Sequence, residues 1–277
     1  MAWALVTPSS RGIGHALTRH LLLTTPVSLP IVATARTDVS SLRSSLLSDL
    51  PSSISPDSAS SRLDIQKCDL NSESSIRDLA GYCSDRYSNR SRDPSAHLRL
   101  AFCIPGMLVP ERAPEKIEYD SALETLKLNL LAPMMLAKHF VPLLPKKTQA
   151  KSPDGLPEVE GLNALAVIAF MSARVGSVSD NGRGGWYSYR SSKAGVNQLV
   201  KSLDIYLKMS SAGKAVCVGL HPGTVKTDLS KEFWGSTPKE KLFESGYSAE
   251  KLVEVVRELD GRMGGRCWDW KGEEILP

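Results

Sequence analysis

Apolar residues in this chain fall into two patterns. Continuous runs of strand length occupy residues 3–7, 31–35, 63–70, 98–104, 165–171 and 215–221. Runs without polar alternation suit strands buried on both faces, as in parallel sheets. Between them the spacing becomes helical. Residues 38–50 and 72–88 read as helices, and 119–144 carries Leu123, Leu126, Leu130, Met134 and Ala137 at helical intervals. After Tyr189, Val196, Leu199, Val200, Leu203 and Leu207 continue at steps of three and four, and residues 248–260 form a last helix. Strands alternating with helices predict an α/β fold: a doubly wound parallel sheet flanked by helices, one domain over 1–277. Residues 51–62, Ser-rich with two prolines, read as a surface loop, and 88–97 and 146–162 as polar loops. A segment without clear period predicts a lid over the substrate around 225–247, and 265–277 reads as an edge strand and turn.

Chemistry enters at the ends of these runs. The first strand leads into Pro8-Ser9-Ser10-Arg11-Gly12-Ile13-Gly14 and then a helix. A strand, a turn of small residues and a helix start form a phosphate site, because the glycines admit a pyrophosphate and the helix end supplies N–H groups. The second strand ends on Arg36 rather than on an acid. An acid there would accept from the ribose 2′-hydroxyl of NAD, whereas an arginine pairs with a 2′-phosphate. Arg11 reaches toward the same group. Tyr189 and Lys193 lie four residues apart and so share one helix face. An ammonium nearby favours a phenolate and lowers the phenol pKa, which makes the pair competent to move a proton at a carbonyl or alcohol oxygen. Asn129 and Pro133 sit inside one helix. Pro133 has no N–H for the Asn129 carbonyl, which predicts a kink over 129–133.

Composition narrows the reading by exclusion. The net charge of +4 is scattered, with no nucleic-acid stripe. The five cysteines lack metal or disulfide spacing and read as buried free thiols in a reducing compartment. No apolar run is long enough to span a membrane. The expected protein is soluble and cytoplasmic, with no metal, nucleic-acid or membrane partner.

With these motifs in order, the chain resembles the short-chain dehydrogenase/reductase family, classical type. The resemblance rests on Thr7-x-x-x-x-Gly12-x-Gly14, Asp69-Leu70, Asn129, Ser172, Tyr189-x-x-x-Lys193 and Pro222-Gly223. Gly176-Ser177, Gly184-Gly185-Trp186-Tyr187 and the tail look like the C-factor and sniffer-type carbonyl reductases. The resemblance implies a Rossmann domain and a catalytic set of Tyr189, Lys193, Ser172 and Asn129. Tyr189 is the implied acid–base. Lys193 lowers its pKa and holds the nicotinamide ribose. Ser172 positions the substrate oxygen, and Asn129 holds a relay water. Implied cofactor contacts are Thr7, Ser9, Ser10, Arg11, Gly12, Ile13, Gly14, Arg36, Asp69, Leu70, Pro105, Gly106, Tyr189, Lys193, Pro222, Gly223, Val225 and Thr227. Related enzymes pair through the helices that hold Asn129 and Tyr189, which implies a homodimer or homotetramer.

Three stretches depart from the family pattern. Pro8 replaces its first glycine, Cys103-Ile104-Pro105-Gly106 stands where the family carries asparagine-asparagine-alanine-glycine after the fourth strand, and Ala173 occupies the usual serine slot, one residue beyond Ser172. The expected function is hydride transfer between NADPH, preferred over NADH, and a small-molecule carbonyl or alcohol. A cofactor-binding signalling protein with weak or lost catalysis is the alternative, and an epimerase or dehydratase on the same fold is a third option.

Overall fold

The computed structural model describes residues 1–89, 96–147 and 156–277. Much of the two polar loops, 88–97 and 146–162, lies outside them. In chain order the elements are β1 (Ala2–Thr7), α1 (Gly12–Thr24), β2 (Ile31–Ala35), α2 (Val39–Leu47), α3 (Pro56–Arg62), β3 (Leu63–Lys67), α4 (Glu73–Cys83) and β4 (His97–Cys103). There follow α5 (Tyr119–Leu126), α6 (Ala132–Phe140), β5 (Ala166–Met171), α7 (Tyr187–Ser210) and β6 (Ala215–His221). The remainder is β7 (Thr224–Val225), β8 (Leu242–Phe243), α8 (Ser245–Glu258), β9 (Cys267–Asp269) and β10 (Glu274–Ile275).

The main sheet has eight strands in the order β10-β9-β6-β5-β4-β1-β2-β3. All neighbours are parallel except the terminal β9–β10 hairpin. The order reverses between β1 and β4. In open α/β sheets such a switch point opens a crevice at the carboxyl ends of the strands. Both faces of the sheet are covered, which is why its strands are apolar throughout. Ala4 and Val6 face α1, α2 and α8, while Trp3 and Leu5 face α4, α6 and α7. Short β7 and β8 pair apart from the main sheet and carry the lid region, whose Asp228–Ser236 is 3-10 helical.

Two sequence expectations need correction. Residues 51–62 are not all loop, since Pro56–Arg62 is helical. Ser55 accepts from the Ser58 N–H and Pro56 starts the first turn, a start signal hidden by the Ser-rich composition. The helix over 119–144 is not continuous either. It splits into α5, a π-helical turn over Lys127–Leu131, and α6. The Ala132 N–H reaches back to the Lys127 carbonyl just before Pro133, whose missing N–H breaks the α-helical ladder. The disturbance therefore falls at the predicted kink, as a widened turn. All five cysteines are free and buried.

Arg62 closes α3 and is buried with no acid paired to it among the described residues. Its guanidinium donates to Thr25 Oγ1 at 3.0 Å and to the carbonyls of Pro26 at 3.1 Å and Leu22 at 2.5 Å. It thus satisfies carbonyls at the end of α1 that the helix leaves unpaired. Arg62→Ala should lower the free energy of unfolding by about 2–4 kcal/mol, measured by urea denaturation. Arg62→Lys should recover little of it, because an ammonium cannot reproduce the planar fork. A loss under about 0.5 kcal/mol in Arg62→Ala would show that water replaces the guanidinium.

Candidate active site

Tyr189 and Lys193 stand in the first turns of α7, beside the carboxyl end of β5. Tyr189 is 8% exposed and Lys193 1%. The ammonium donates to the Met171 carbonyl at 2.9 Å and lies 5.7 Å from the centre of the phenol ring. Burial pushes the Tyr189 phenol up to about 12 and Lys193 down to about 8. The direction for Tyr189 is opposite to the one that the Tyr–Lys spacing predicts. Desolvation disfavours the phenolate, and here it outweighs the pull of the ammonium, which is spent first on a carbonyl.

Asn129 is fully buried in the π-helical turn. Its Oδ1 accepts from the Met107 N–H and its Nδ2 donates to the Met107 carbonyl, each at 2.8 Å. Nδ2 also donates to Ser192 Oγ at 3.2 Å, and Ser192 Oγ donates to the Tyr189 carbonyl at 2.7 Å. Asn129 therefore ties the loop after β4 to the helix that carries the phenol. Ser172 is placed differently from Tyr189, Lys193 and Asn129. Its Oγ donates to Asn197 Oδ1 at 2.6 Å, and its N–H pairs with the Leu220 carbonyl. The structure does not bring its hydroxyl into a hydrogen bond with Tyr189. Ala173, next in the chain and extended (φ −159°), turns toward the opposite face.

An aromatic wall flanks Tyr189. The Trp186 ring meets Tyr189 edge-on at 6.3 Å and packs on Phe233 of the lid at 4.9 Å. In a second aromatic cluster, Phe243 packs tilted on Tyr247 at 5.2 Å and edge-on against Trp270 at 4.5 Å.

The turn after β1 faces the crevice. Arg11 precedes α1 and gives it no side-chain cap, and among the described residues no side chain bonds the N–H groups of its first turn. Gly12 sits at φ +54°, where a side chain would be strained, and a Cβ there would press on Thr227 Cγ2 at 3.1 Å. Ile13 is half-buried, Gly14 is buried within α1, and Ser10 is exposed. Thr7 and Ser9 are fully buried, and their hydroxyls bond inward: Thr7 to Thr34 Oγ1 at 2.7 Å, Ser9 to the Val6 carbonyl at 2.7 Å. Arg11 forms an exposed ion pair with Asp228 across the crevice at 3.4 Å. Arg36 is exposed at the end of β2. The nearby Asp38 carboxylate is committed to capping α2 through the Ser41 N–H at 2.8 Å. An uncapped helix start, a glycine floor and two exposed arginines fit a phosphorylated dinucleotide.

Elsewhere on the rim, Asp69 accepts from the Asn71 N–H at 3.0 Å, and Leu70 is buried beside it. Pro105 is buried and Gly106 exposed. Pro222 and Gly223 follow β6, with the Pro222 carbonyl accepting from Ser248 Oγ at 2.9 Å. Val225 is buried, and Thr227 starts the lid's 3-10 helix in a capping box with Ser230.

No family model matches the chain. It is 28% identical over 202 residues to a 1-hydroxy-2-glutathionyl-2-methyl-3-butene dehydrogenase of Rhodococcus sp. (strain AD45), covering 72% of this chain and 73% of the relative. It is 28% identical over 159 residues to the C-signal protein of Myxococcus xanthus, covering 57% of this chain and 80% of that one. The solved structure of the carbonyl reductase Sniffer of D. melanogaster matches with a TM-score of 0.76 and 25% identity, over 100% of this chain and 98% of that one. The NADPH-bound carbonyl reductase from chicken fatty liver matches with a TM-score of 0.75 and 26% identity, over 99% and 98%. In sequence and in fold the chain is similar to proteins of the short-chain dehydrogenase/reductase family.

The sequence assigns no site role to Glu111, Phe233 or Asn197, and names Trp186 only as part of the resemblance, although all four adjoin the site. Asn197 stands eight residues after Tyr189, two turns along the same helix, and that spacing is a usable signal. Glu111 and Phe233 reach α7 from distant segments, and no local pattern marks them. Ala173 occupies the slot where the family carries a hydroxyl beside the tyrosine. Ala173→Ser should therefore raise turnover at least about threefold, since each hydrogen bond to a reacting oxygen contributes on the order of 1 kcal/mol. Ser172→Ala should lower the melting temperature instead, through the lost bond to Asn197. Steady-state kinetics and thermal melts of both variants check this, and a turnover loss confined to Ser172→Ala would return the role to Ser172.

Proposed function

We propose that the chain is an NADPH-dependent carbonyl reductase with Tyr189 as proton donor. The observation that carries this reading is a buried phenol and ammonium one helical turn apart, walled by Trp186 and Phe233, beside a phosphate-ready turn. Its relatives support it: two matched structures are carbonyl reductases, one of them bound to NADPH.

When bound, the cofactor supplies the hydride, and the chain positions and protonates around it. With its pKa raised to about 12, the phenol stays protonated at neutral pH and is poised to donate. As charge develops on a carbonyl oxygen, the Tyr189 proton moves to it. Lys193, charged below about 8, offsets the phenolate left behind. Trp186 and Phe233 exclude water and offer apolar surface, which suits a carbonyl with an apolar body. The first-turn N–H groups of α1, with Ser10 and Arg11, hold the pyrophosphate. Arg36 pairs with the 2′-phosphate, Asp69 and Leu70 meet the adenine, and Val225 and Thr227 meet the nicotinamide carboxamide. Pro105, Gly106, Pro222 and Gly223 line the floor.

A second reading, a cofactor-binding signalling protein with weak catalysis, is favoured by Ala173 and by the similarity to C-signal. Measuring cofactor binding beside cofactor oxidation over a carbonyl panel separates the two.

NADPH should bind at least about tenfold more tightly than NADH, because a charge-assisted hydrogen bond contributes roughly 1.5–3 kcal/mol. Arg36→Asp should reverse the preference. Equal dissociation constants in the unmodified protein, by isothermal titration, would remove this assignment.

Tyr189→Phe should abolish turnover and leave cofactor affinity within about twofold, as expected for a group that acts only in the chemical step. Lys193→Met should harm both. Reduction should weaken as pH rises through about 8, where Lys193 loses its proton and no longer offsets the phenolate. Retained turnover in purified Tyr189→Phe, or a rate flat from pH 7 to above 9, would require another donor.

A further inference from the structure

Helix α7 begins without a cap of its own. Trp186, its N-cap residue, stands at φ +52° and makes no side-chain capping bond. Its ring is engaged with Phe233. The first N–H groups of a helix need acceptors from somewhere. Here they come from Glu111, in the loop after β4. Its Oε2 accepts from the Ser188 N–H at 2.7 Å, and its Oε1 accepts from the Ser188 hydroxyl. Its backbone carbonyl accepts from the Trp186 N–H at 2.7 Å. Glu111 is 3% exposed and forms no ion pair among the described residues. A buried carboxylate without a cation is costly unless donors and a helix N-terminus stabilise it. Both are present, so the carboxylate and the first turn of α7 depend on each other.

We propose that Glu111 is a positioning residue that locks the first turn of α7 and thereby sets the Tyr189 phenol and the Trp186 ring over the substrate. This rests on the reading of Tyr189 as proton donor. The two residues that Glu111 holds, Trp186 and Ser188, bracket the approach to Tyr189. A displacement of about 1 Å at a reacting group reduces rate on the order of a hundredfold. A second tie runs one turn further along, from Met107 through Asn129 to Ser192. With that tie intact, removing Glu111 leaves α7 folded and loosens only its start.

The test compares Glu111→Ala and Glu111→Gln with the unmodified full chain. Glu111→Ala should lower kcat for carbonyl reduction at least about tenfold while KM for the carbonyl and Kd for NADPH stay within about twofold. Glu111→Gln keeps an oxygen acceptor for the Ser188 N–H and should recover kcat to within about threefold of the unmodified chain. Amide hydrogen exchange, which needs no turnover, should accelerate at least about tenfold over residues 186–190 in Glu111→Ala and stay unchanged over 73–83. An unmodified kcat in Glu111→Ala, or exchange that accelerates equally across the whole sheet, would overturn the proposal. If no carbonyl of the panel supports NADPH oxidation by the unmodified chain, the proton-donor reading fails. The exchange comparison then decides separately whether Glu111 holds the turn.

Discussion

A lysine ammonium buried at the end of a sheet, with no carboxylate paired to it among the described residues, is the constraint on which this site depends. Such a charge is expensive to desolvate, and its pKa falls to about 8 as a result. It remains largely charged at neutral pH because the surroundings compensate it in part. The Met171 carbonyl at the end of β5 accepts from it at 2.9 Å, and the Tyr189 ring lies against it. That arrangement demands close approach between α7 and the turn after β5. Gly176 provides it, because a Cβ there would come within 2.7 Å of the Lys193 carbonyl carbon. Any bulk at Gly176 would therefore push the helix, and with it the ammonium, off the strand end.

How far this was legible in the sequence depends on the range of the interaction. Strands β2 and β6 have the bounds expected from their apolar runs, 31–35 and 215–221. A run buried on both faces between polar or small residues announces its own ends. The proline at 133 announced a break, but not that the break takes the form of a π-helical turn. Helix α3 was misread because composition was weighed above the Ser55-Pro56 start signal. Helix α8 begins at Ser245, three residues ahead of the expected 248, since its first turn is polar. Burial overturned the expected direction of the Tyr189 shift, because spacing reports which groups are near and not how dry they are. The cap from Glu111 crosses 77 positions and left no trace in the local pattern.

The departures from the family pattern have a physical resolution at the turn after β1. The asparagines replaced by Cys103-Ile104 brace the cofactor turn in the family, so their loss called for another brace. A web of buried hydroxyls provides one. Ser9 Oγ donates to the Val6 carbonyl at 2.7 Å, accepts from Thr18 Oγ1 at 3.1 Å, and accepts from the Thr34 N–H at 3.4 Å. Thr7 and Thr34 share a further bond at 2.7 Å, and the Ile104 N–H joins β4 to the Thr7 carbonyl at 2.8 Å. Because every one of these side-chain groups is fully buried, the web works in a low dielectric where its bonds reinforce one another. The same commitment turns Thr7 and Ser9 away from the crevice. From this segment, only Ser10 and Arg11 are left exposed, and Arg36 joins them from the neighbouring strand. The turn is thus rigid on its inner side and cationic on its outer side, and a rigid cationic rim discriminates by charge more than by hydrogen-bond count.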